Sequence, residues 1–337
     1  MASAGKTTRS RDPASATSPT LAADRVNYVS VGAEDAGQRL DNFLMRLAKG
    51  VPKSHIYRIV RSGEVRVNKA RAGVDQRIAA GDELRIPPLR IAQRAAPAAV
   101  PRPITLPILF EDEHLLVVDK PAGLAAHGGS GIAFGLIEQL RAARSQQPFL
   151  ELAHRLDRET SGVLLLAKSR RALVRLHAAL RDGEIDKRYL VLVAGEWRND
   201  RQHVKLALHK VVTAAGERRV NVDDEGQAAH TVFNRVERLG RFTLLEAELR
   251  TGRTHQIRVH LAHLGFPILG DDKYGDFELN KRAARGELGA RFDRMFLHAG
   301  RVQFAHPVSG ETLAIEAPLP AACEDLLDVL RARSGAG

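Results

Sequence analysis

Asp157 stands in the run His154-Arg155-Leu156-Asp157-Arg158-Glu159-Thr160-Ser161-Gly162, directly before the apolar stretch Val163-Leu164-Leu165-Leu166. A carboxylate between two arginines sits in positive potential, which favours the anion, the form a nucleophile needs. The same residues allow a plainer role, an aspartate that accepts backbone hydrogen bonds and pins a turn. Spacing alone leaves both open. His255, His260 and His263 lie close together farther on, but their spacing is not that of a zinc protease and no carboxylate completes a ligand set in that segment. They read as core or RNA-facing histidines, and no metal is expected. His154-Arg155-Leu156-Asp157 is close to a kinase catalytic loop, yet the chain has neither a glycine-rich nucleotide loop nor an Asp-Phe-Gly triplet, so phosphoryl transfer is a poor candidate. The cluster His127-Gly128-Gly129-Ser130-Gly131 fits a phosphate site at a following helix start or an ordinary glycine-rich turn.

These residues have to be positioned by the elements around them. Leu115-Leu116-Val117-Val118 and Val163-Leu164-Leu165-Leu166 are apolar runs of strand length, which predicts buried strands. Leu173, Leu176 and Leu180 repeat with helical period behind Ser169, a residue of N-capping type, and Arg188 to Val193 reads as a strand. A strand pair is predicted at 230–236 and 242–250. A helix follows from near Thr254, with Ile257, Leu261 and Leu264 on one stripe and Gly265 as its stop. No repeat of domain-building length is present. Strands mixed with helices in this order predict an α+β domain with a mixed, largely antiparallel sheet and flanking helices.

The 337 residues suffice for one large and one small domain. Residues 1–30 read as a disordered tail, 31–88 as a compact basic unit, 89–103 as a proline-rich linker and 104–337 as the main body. Asp12 and the lack of an amphipathic period argue against a transit peptide, and Gly5-Lys6-Thr7 lacks the rest of a phosphate loop. No apolar run approaches the length of a membrane span, so a soluble, cytoplasmic protein is expected. Cys323 is the only cysteine, which excludes a disulfide within the chain and a cysteine-based zinc cluster. A formal charge of +11, from 51 basic against 40 acidic side chains, favours a polyanionic partner.

In the small unit, Leu40, Phe43, Leu44 and Leu47, then Ile56, Ile59 and Val60, recur at helical spacing, and Val65-Arg66-Val67 and Gly81 to Ile86 read as strands with a turn. GQRLDNFL, VPKSHIYRIVRSGEVRVN and GDELRIP together resemble the S4 RNA-binding domain. The resemblance implies a small α/β fold whose second helix and adjacent turn face an RNA backbone. Lys53, Ser54, Arg58, Arg61, Arg66 and Lys69 are the expected contacts, neutralising phosphates without reading bases.

The main body resembles the RluA-type pseudouridine synthases of large-subunit ribosomal RNA. The HRLDxxTSG signature is complete, preceded by Asp119-Lys120-Pro121-Ala122-Gly123 and followed in order by Arg188-Tyr189-Leu190, Thr251 to His260 and Leu297-His298-Ala299. The resemblance makes Asp157 the catalytic aspartate. It implies that Tyr189 stacks on the target uracil and helps to remove the C5 proton, and that Arg258 pairs with the Asp157 carboxylate, its place one residue off the Ile257 stripe suiting a side chain aimed across a cleft. Arg155 fills the gap left when the nucleotide swings out, and Leu297 walls the base. His154, Arg253 and Lys120 join the substrate-binding set. Pattern alone would put Tyr189 and Leu297 in an ordinary core.

The implied reaction is an isomerisation in which the glycosidic bond breaks, uracil turns and a carbon–carbon bond forms through C5, so no cofactor is expected. VPKSHIYRI, HGGSGIAFG and DDKYGDFELN most resemble the RluC branch, which modifies a few uridines of 23S rRNA, some near the peptidyl transferase centre. The expected partner is 23S rRNA or a precursor of the large ribosomal subunit, with the protein a monomer needing no obligate protein partner. The competing readings are a synthase of transfer RNA or of another ribosomal site, and a non-catalytic RNA-binding assembly factor.

Overall fold

The computed structural model describes residues 21–334 except 23, 49, 90–100, 130, 131 and 213–217. The tail reading for residues 1–20 and most of the linker reading lie outside the described residues. The chain divides into one unit within residues 1–98 and a second within 99–337.

The first unit contains β1 (Asn27–Ser30), α1 (Leu40–Leu47), α2 (Lys53–Arg61), β2 (Arg66–Val67), β3 (Ala70–Arg71) and β4 (Glu83–Ile86), its strands in the order β1-β4-β2-β3. Leu40, Phe43 and Leu44 of α1 and Ile56, Ile59 and Val60 of α2 are buried with Val65, Ile78, Leu84 and Ile86, so the helical spacing reports the inward faces. Asn27–Ser30, within the stretch read as tail, is a strand. Leu21 is in this core and β1 pairs antiparallel with β4 from Asn27↔Ile86 to Ser30↔Glu83. Only Val29 of β1 is buried, and an edge strand with one inward side chain leaves no alternation to read. Asn68 and Lys69 both have positive φ, 50° and 69°, as a two-residue type I′ hairpin requires.

The second unit contains β5 (Ile108–Glu111), β6 (Leu115–Lys120), α3 (Leu136–Ala143), β7 (Glu151–Leu152), β8 (Ser161–Ala167), α4 (Arg170–Asp182), β9 (Asp186–Ala194), β10 (Arg201–Lys205), β11 (Leu208–Val212) and β12 (Arg218–Val222), then β13 (His230–Leu239), β14 (Phe242–Leu249), α5 (Gln256–His263), α6 (Phe277–Ala284), β15 (Leu297–Ala305), β16 (Thr312–Glu316) and α7 (Ala321–Ser334). A ten-stranded sheet runs β10-β13-β14-β9-β15-β8-β6-β5, with β16 on β15 and β7 on β8, while β11 and β12 form a separate hairpin. The β15–β8 pair is parallel and the other pairs of this sheet are antiparallel, which is the mixed, largely antiparallel sheet the sequence predicts.

Strand alternation decides which side each apolar residue serves. Leu116, Val118, Leu164, Leu166, Val191 and Val193 face one core with Trp197 and Phe233, whereas Leu115, Val117, Val163 and Leu165 face another closed by Leu173 and Leu176 of α4. Every residue of β8 is buried, as expected of a strand covered on both faces. Ser169 caps α4 by accepting the Ala172 N–H at 3.2 Å, and Gly183 ends it in the left-handed region at φ 79°. Among the described residues no helix is long and apolar enough to cross a membrane.

Candidate active site

The loop from β7 to β8 carries His154 through Thr160, β9 carries Tyr189, α5 carries Arg258 and β15 begins with Leu297. Asp157, Tyr189, Arg258, Leu297, Arg155, His154 and Arg253 all line one cavity of about 520 Å³, a volume within the usual range for small-ligand pockets. Arg181, Lys187 and Arg250 also line it. Sequence reasoning did not select these three, since cations at the ends of helices and strands have no local mark of where they point.

α5 differs from the amphipathic helix expected. Gln256, Ile257, Arg258, Val259, His260 and Leu261 are all buried, which requires its polar side chains to be satisfied internally. Gln256 Oε1 accepts the Thr251 hydroxyl at 2.8 Å and the Arg253 N–H at 3.0 Å, while its Nε2 donates to His230 O at 3.0 Å and Thr231 Oγ1 at 2.9 Å. These bonds fold the Thr251–Gly252–Arg253 turn over the cavity edge. Of the histidines read as core or RNA-facing, His260 is fully buried, between Thr231 Oγ1 and Leu206 O.

Arg258 makes the central ion pairs. Its Nη1 lies 3.5 Å from Asp157 Oδ2, but its principal partner is Asp271, met by Nε at 2.7 Å and Nη2 at 2.6 Å. The resemblance gave Arg258 to Asp157 alone. The bidentate partner lies in the loop after α5, thirteen residues on, where helical spacing says nothing. Asp271 is fully buried and its Oδ1 also accepts the amides of Lys273 and Tyr274. Burial by itself raises the Asp271 pKa, but Arg258 and the two amides outweigh it and the net displacement is downward. Burial likewise opposes the Arg258 charge, and Asp271, then Asp157 and Asp272, more than reverse this.

Asp157 has a side chain 21% exposed, open to the cavity. His255 Nε2 lies 3.8 Å from its Oδ1. Burial pulls the His255 pKa below its ordinary value, opposed by Asp157 and assisted by Arg258, so the ring is neutral near pH 7. Tyr189 is buried, and burial first and the Asp157 charge second lift its phenol well above the ordinary range. It therefore offers an aromatic face and an intact O–H at neutral pH. His154 Nε2 accepts the Leu165 N–H at 3.2 Å, and burial with nearby Lys187 lowers its pKa to about 4. His154 is thus a neutral ring tied to β8.

Lys120 departs from its expected substrate-binding role. It is fully buried, and Nζ donates to Pro121 O at 2.9 Å, Leu124 O at 2.9 Å and Arg158 O at 3.0 Å. Its three donors are spent on backbone carbonyls, one of them next to Asp157, so it fastens the loop and does not face the cavity. Burial lowers its pKa to about 8, against the opposing charges of Glu159 and Asp157. Lys120→Met leaves three carbonyls without a donor, and the expected loss is about 2–4 kcal/mol of stability with a slower enzyme. Urea unfolding of both proteins tests this, and an unchanged midpoint would remove the anchoring role.

The glycine cluster before α3 includes Ser130 and Gly131, which lie outside the described residues. The amides of Gly128 and Gly135 donate to Glu138 Oε2 at 3.1 and 2.8 Å. These two amides are thus taken by the chain's own carboxylate.

In the first unit, Lys53, Ser54, Arg58 and Arg61 share a shallow groove on α2 with Tyr57. Lys53 and Arg61 flank the Tyr57 ring at 5.3 and 5.7 Å, and the Tyr57 hydroxyl donates to Asp41 at 2.7 Å. Lys69 occupies the β2–β3 turn, where Arg66 Nη1 donates to its carbonyl at 3.2 Å.

This arrangement can bind a planar base between an aromatic ring and a leucine, hold phosphates at a cationic edge and present a carboxylate to the sugar or the base. Known proteins agree. The profile of the RNA pseudouridylate synthase family matches residues 114–263, and that of the S4 domain residues 38–84. The Ribosomal large subunit pseudouridine synthase C of Salmonella typhimurium (strain LT2) is 50% identical over 311 residues, 91% of this chain and 97% of its own. That of Escherichia coli (strain K12) is 49% identical over the same shares of both chains. Among solved structures, Human RNA Pseudouridylate Synthase Domain Containing 4 is 25% identical with a TM-score of 0.55, covering 67% of this chain and 93% of that one. Half-identical relatives matched over nearly their whole length settle what cavity and fold suggest: this chain belongs to the RNA pseudouridylate synthase family and is an RNA pseudouridine synthase with an S4 domain.

Proposed function

We propose that the enzyme converts a few uridines of 23S ribosomal RNA to pseudouridine, with Asp157 as its catalytic carboxylate. The observation that carries this is a carboxylate held by Arg258 in a cavity also lined by Tyr189, Leu297 and cationic side chains. The named relatives act, by their names, on the ribosomal large subunit, which supports the choice of RNA. Tyr189 stacks on the flipped uracil as a neutral phenol, a narrower role than one that includes taking the C5 proton. Arg155 enters the space the nucleotide vacates, offsetting part of the unstacking cost of about a few kcal/mol. His154 and Arg253 shape the cavity edge. A ribosomal substrate supports a cytoplasmic place of action.

The test is carbodiimide mapping of pseudouridines on 23S rRNA from cells with and without the gene. Loss of discrete stops near the peptidyl transferase centre, restored by the wild-type chain, is the expected result. An unchanged map would move the substrate to another RNA.

The S4 domain supplies phosphate contacts through Lys53, Ser54, Arg58, Arg61, Arg66 and Lys69. Replacing Lys53, Arg58 and Arg61 together by Ala is expected to weaken RNA binding and flatten the plot of log K against log salt by about 2–3, since each lost phosphate contact removes roughly 0.7–0.9. An unaltered slope in filter-binding titrations rules out this role.

A further inference from the structure

His255 is the residue immediately before α5 and has φ 53°, in the left-handed region. For a residue other than glycine this conformation costs about 1–2 kcal/mol. A residue at this place ordinarily caps the helix with its side chain, and His255 makes no such bond. It thus has neither a relaxed backbone nor a capping role, a local conflict of the kind that gathers at functional sites.

The side chain is held elsewhere. His255 Nδ1 lies 2.9 Å from Tyr274 Oη, and Tyr274 Oη accepts the Val220 N–H at 3.0 Å. The Val220 amide uses one acceptor position of Oη, and the tyrosine proton, given to Nδ1, makes that nitrogen the acceptor. The neutral ring then carries its own proton on Nε2, the atom 3.8 Å from Asp157 Oδ1. Arg258 stands 3.5 Å from the other oxygen, Oδ2. Both contacts are long, as hydrogen bonds in substrate-free sites often are before the complex tightens them.

We propose that His255 is a positioning residue for Asp157: its Nε2–H, with the tautomer set by Tyr274, and the Arg258 guanidinium hold one carboxylate oxygen each and fix the plane that Asp157 presents to the nucleotide. This rests on Asp157 being the catalytic carboxylate. Tyr274 lies outside the residues lining the cavity; its ring packs 5.2 Å from the Arg258 guanidinium, and its hydroxyl meets His255.

The experiment follows tritium release from 23S rRNA transcript labelled at uridine C5, under single turnover with saturating enzyme, beside the Kd for the same RNA. His255→Asn suits the test because asparagine tolerates the left-handed backbone and its amide is too short to replace Nε2. The expected result is a rate about 10- to 100-fold lower, the worth of one hydrogen bond to a charged group, with Kd within about twofold. His255→Gln, whose amide extends farther, recovers most of the rate. Tyr274→Phe keeps the ring beside Arg258 and loses the hydroxyl, and it is expected to slow the reaction without adding to the loss in the double variant with His255→Asn. A wild-type rate in His255→Asn, a loss confined to Kd, or losses that multiply in the double variant would overturn the proposal. Asp157→Asn in the same series separates the two ideas. If it is inactive while His255→Asn is not, only the His255 role fails; if it turns over normally, the reading of Asp157 fails as well.

Discussion

Asp157→Asn is expected to lower pseudouridine formation by roughly 10⁴-fold or more, the scale reached when a group acting on the reacting atoms is removed. RNA affinity is expected to stay within about tenfold, because binding is dominated by phosphate contacts. The substitution keeps the side-chain shape but replaces one acceptor by an NH₂ group. Arg258 Nη1 and the Nε2 side of His255 face the two Asp157 oxygens at 3.5 and 3.8 Å, so either amide orientation puts donor against donor. Because the Asp157 side chain is open to the cavity and both contacts are long, the variant is still expected to fold and to bind while failing in chemistry. Tritium release and RNA binding measured on one preparation decide it. Retained turnover takes Asp157 out of the mechanism.

Arg258 is the position where loss of fold and loss of function coincide. Arg258→Met leaves Asp271, fully buried, without its bidentate partner. Removing one half of a buried ion pair costs about 3–5 kcal/mol, because the remaining charge is neither solvated nor matched. Arg258→Lys is the discriminating control. One ammonium cannot meet both Asp271 oxygens and still reach Asp157, since it lacks the planar fork. The lysine variant is expected to recover much of the stability while remaining at least about 100-fold slow. A urea midpoint for Arg258→Met equal to wild type would show that Asp271 has other support. A lysine variant with full activity would show that the guanidinium does not orient Asp157.

The strands of the sheet interior were legible because burial on both faces leaves unbroken apolar runs, as in β8 and β6. β9, β13, β14 and α4 were legible from period and capping. β10 was not, since an edge strand with Val204 as its one fully buried residue has little pattern. α7 was not assigned, although Cys323, Leu326, Leu327 and Leu330 are its buried residues and their spacing is helical; that signal is present in the sequence. In the site, a shared motif identifies Asp157, Tyr189 and Arg258 but not what holds them. Lys120 beside Pro121 reads equally as a lysine facing ligand or backbone, and of its three carbonyl acceptors two flank the turn just after it and the third, Arg158 O, comes from the Asp157 loop. Asp271 and Tyr274 reach the site through a loop whose path no periodicity encodes, so the partners of Arg258 and His255 emerge only in three dimensions.

Gly162, the last residue of the motif around Asp157, lies where β8 meets β15 in the parallel pair, through His298↔Ser161 and Ala299↔Gly162. It has φ 109°, and a Cβ there would sit 2.3 Å from the Ala299 carbonyl oxygen. The spacing of the strand that follows the Asp157 loop and the strand that opens with Leu297 is set by the absence of a side chain. In a saturation library this position is therefore expected to accept glycine alone, and its inactive variants will have failed in assembly. A block of intolerant positions from His154 to Gly162 would thus mix two causes, and only those whose variants still fold and bind RNA count toward the chemistry.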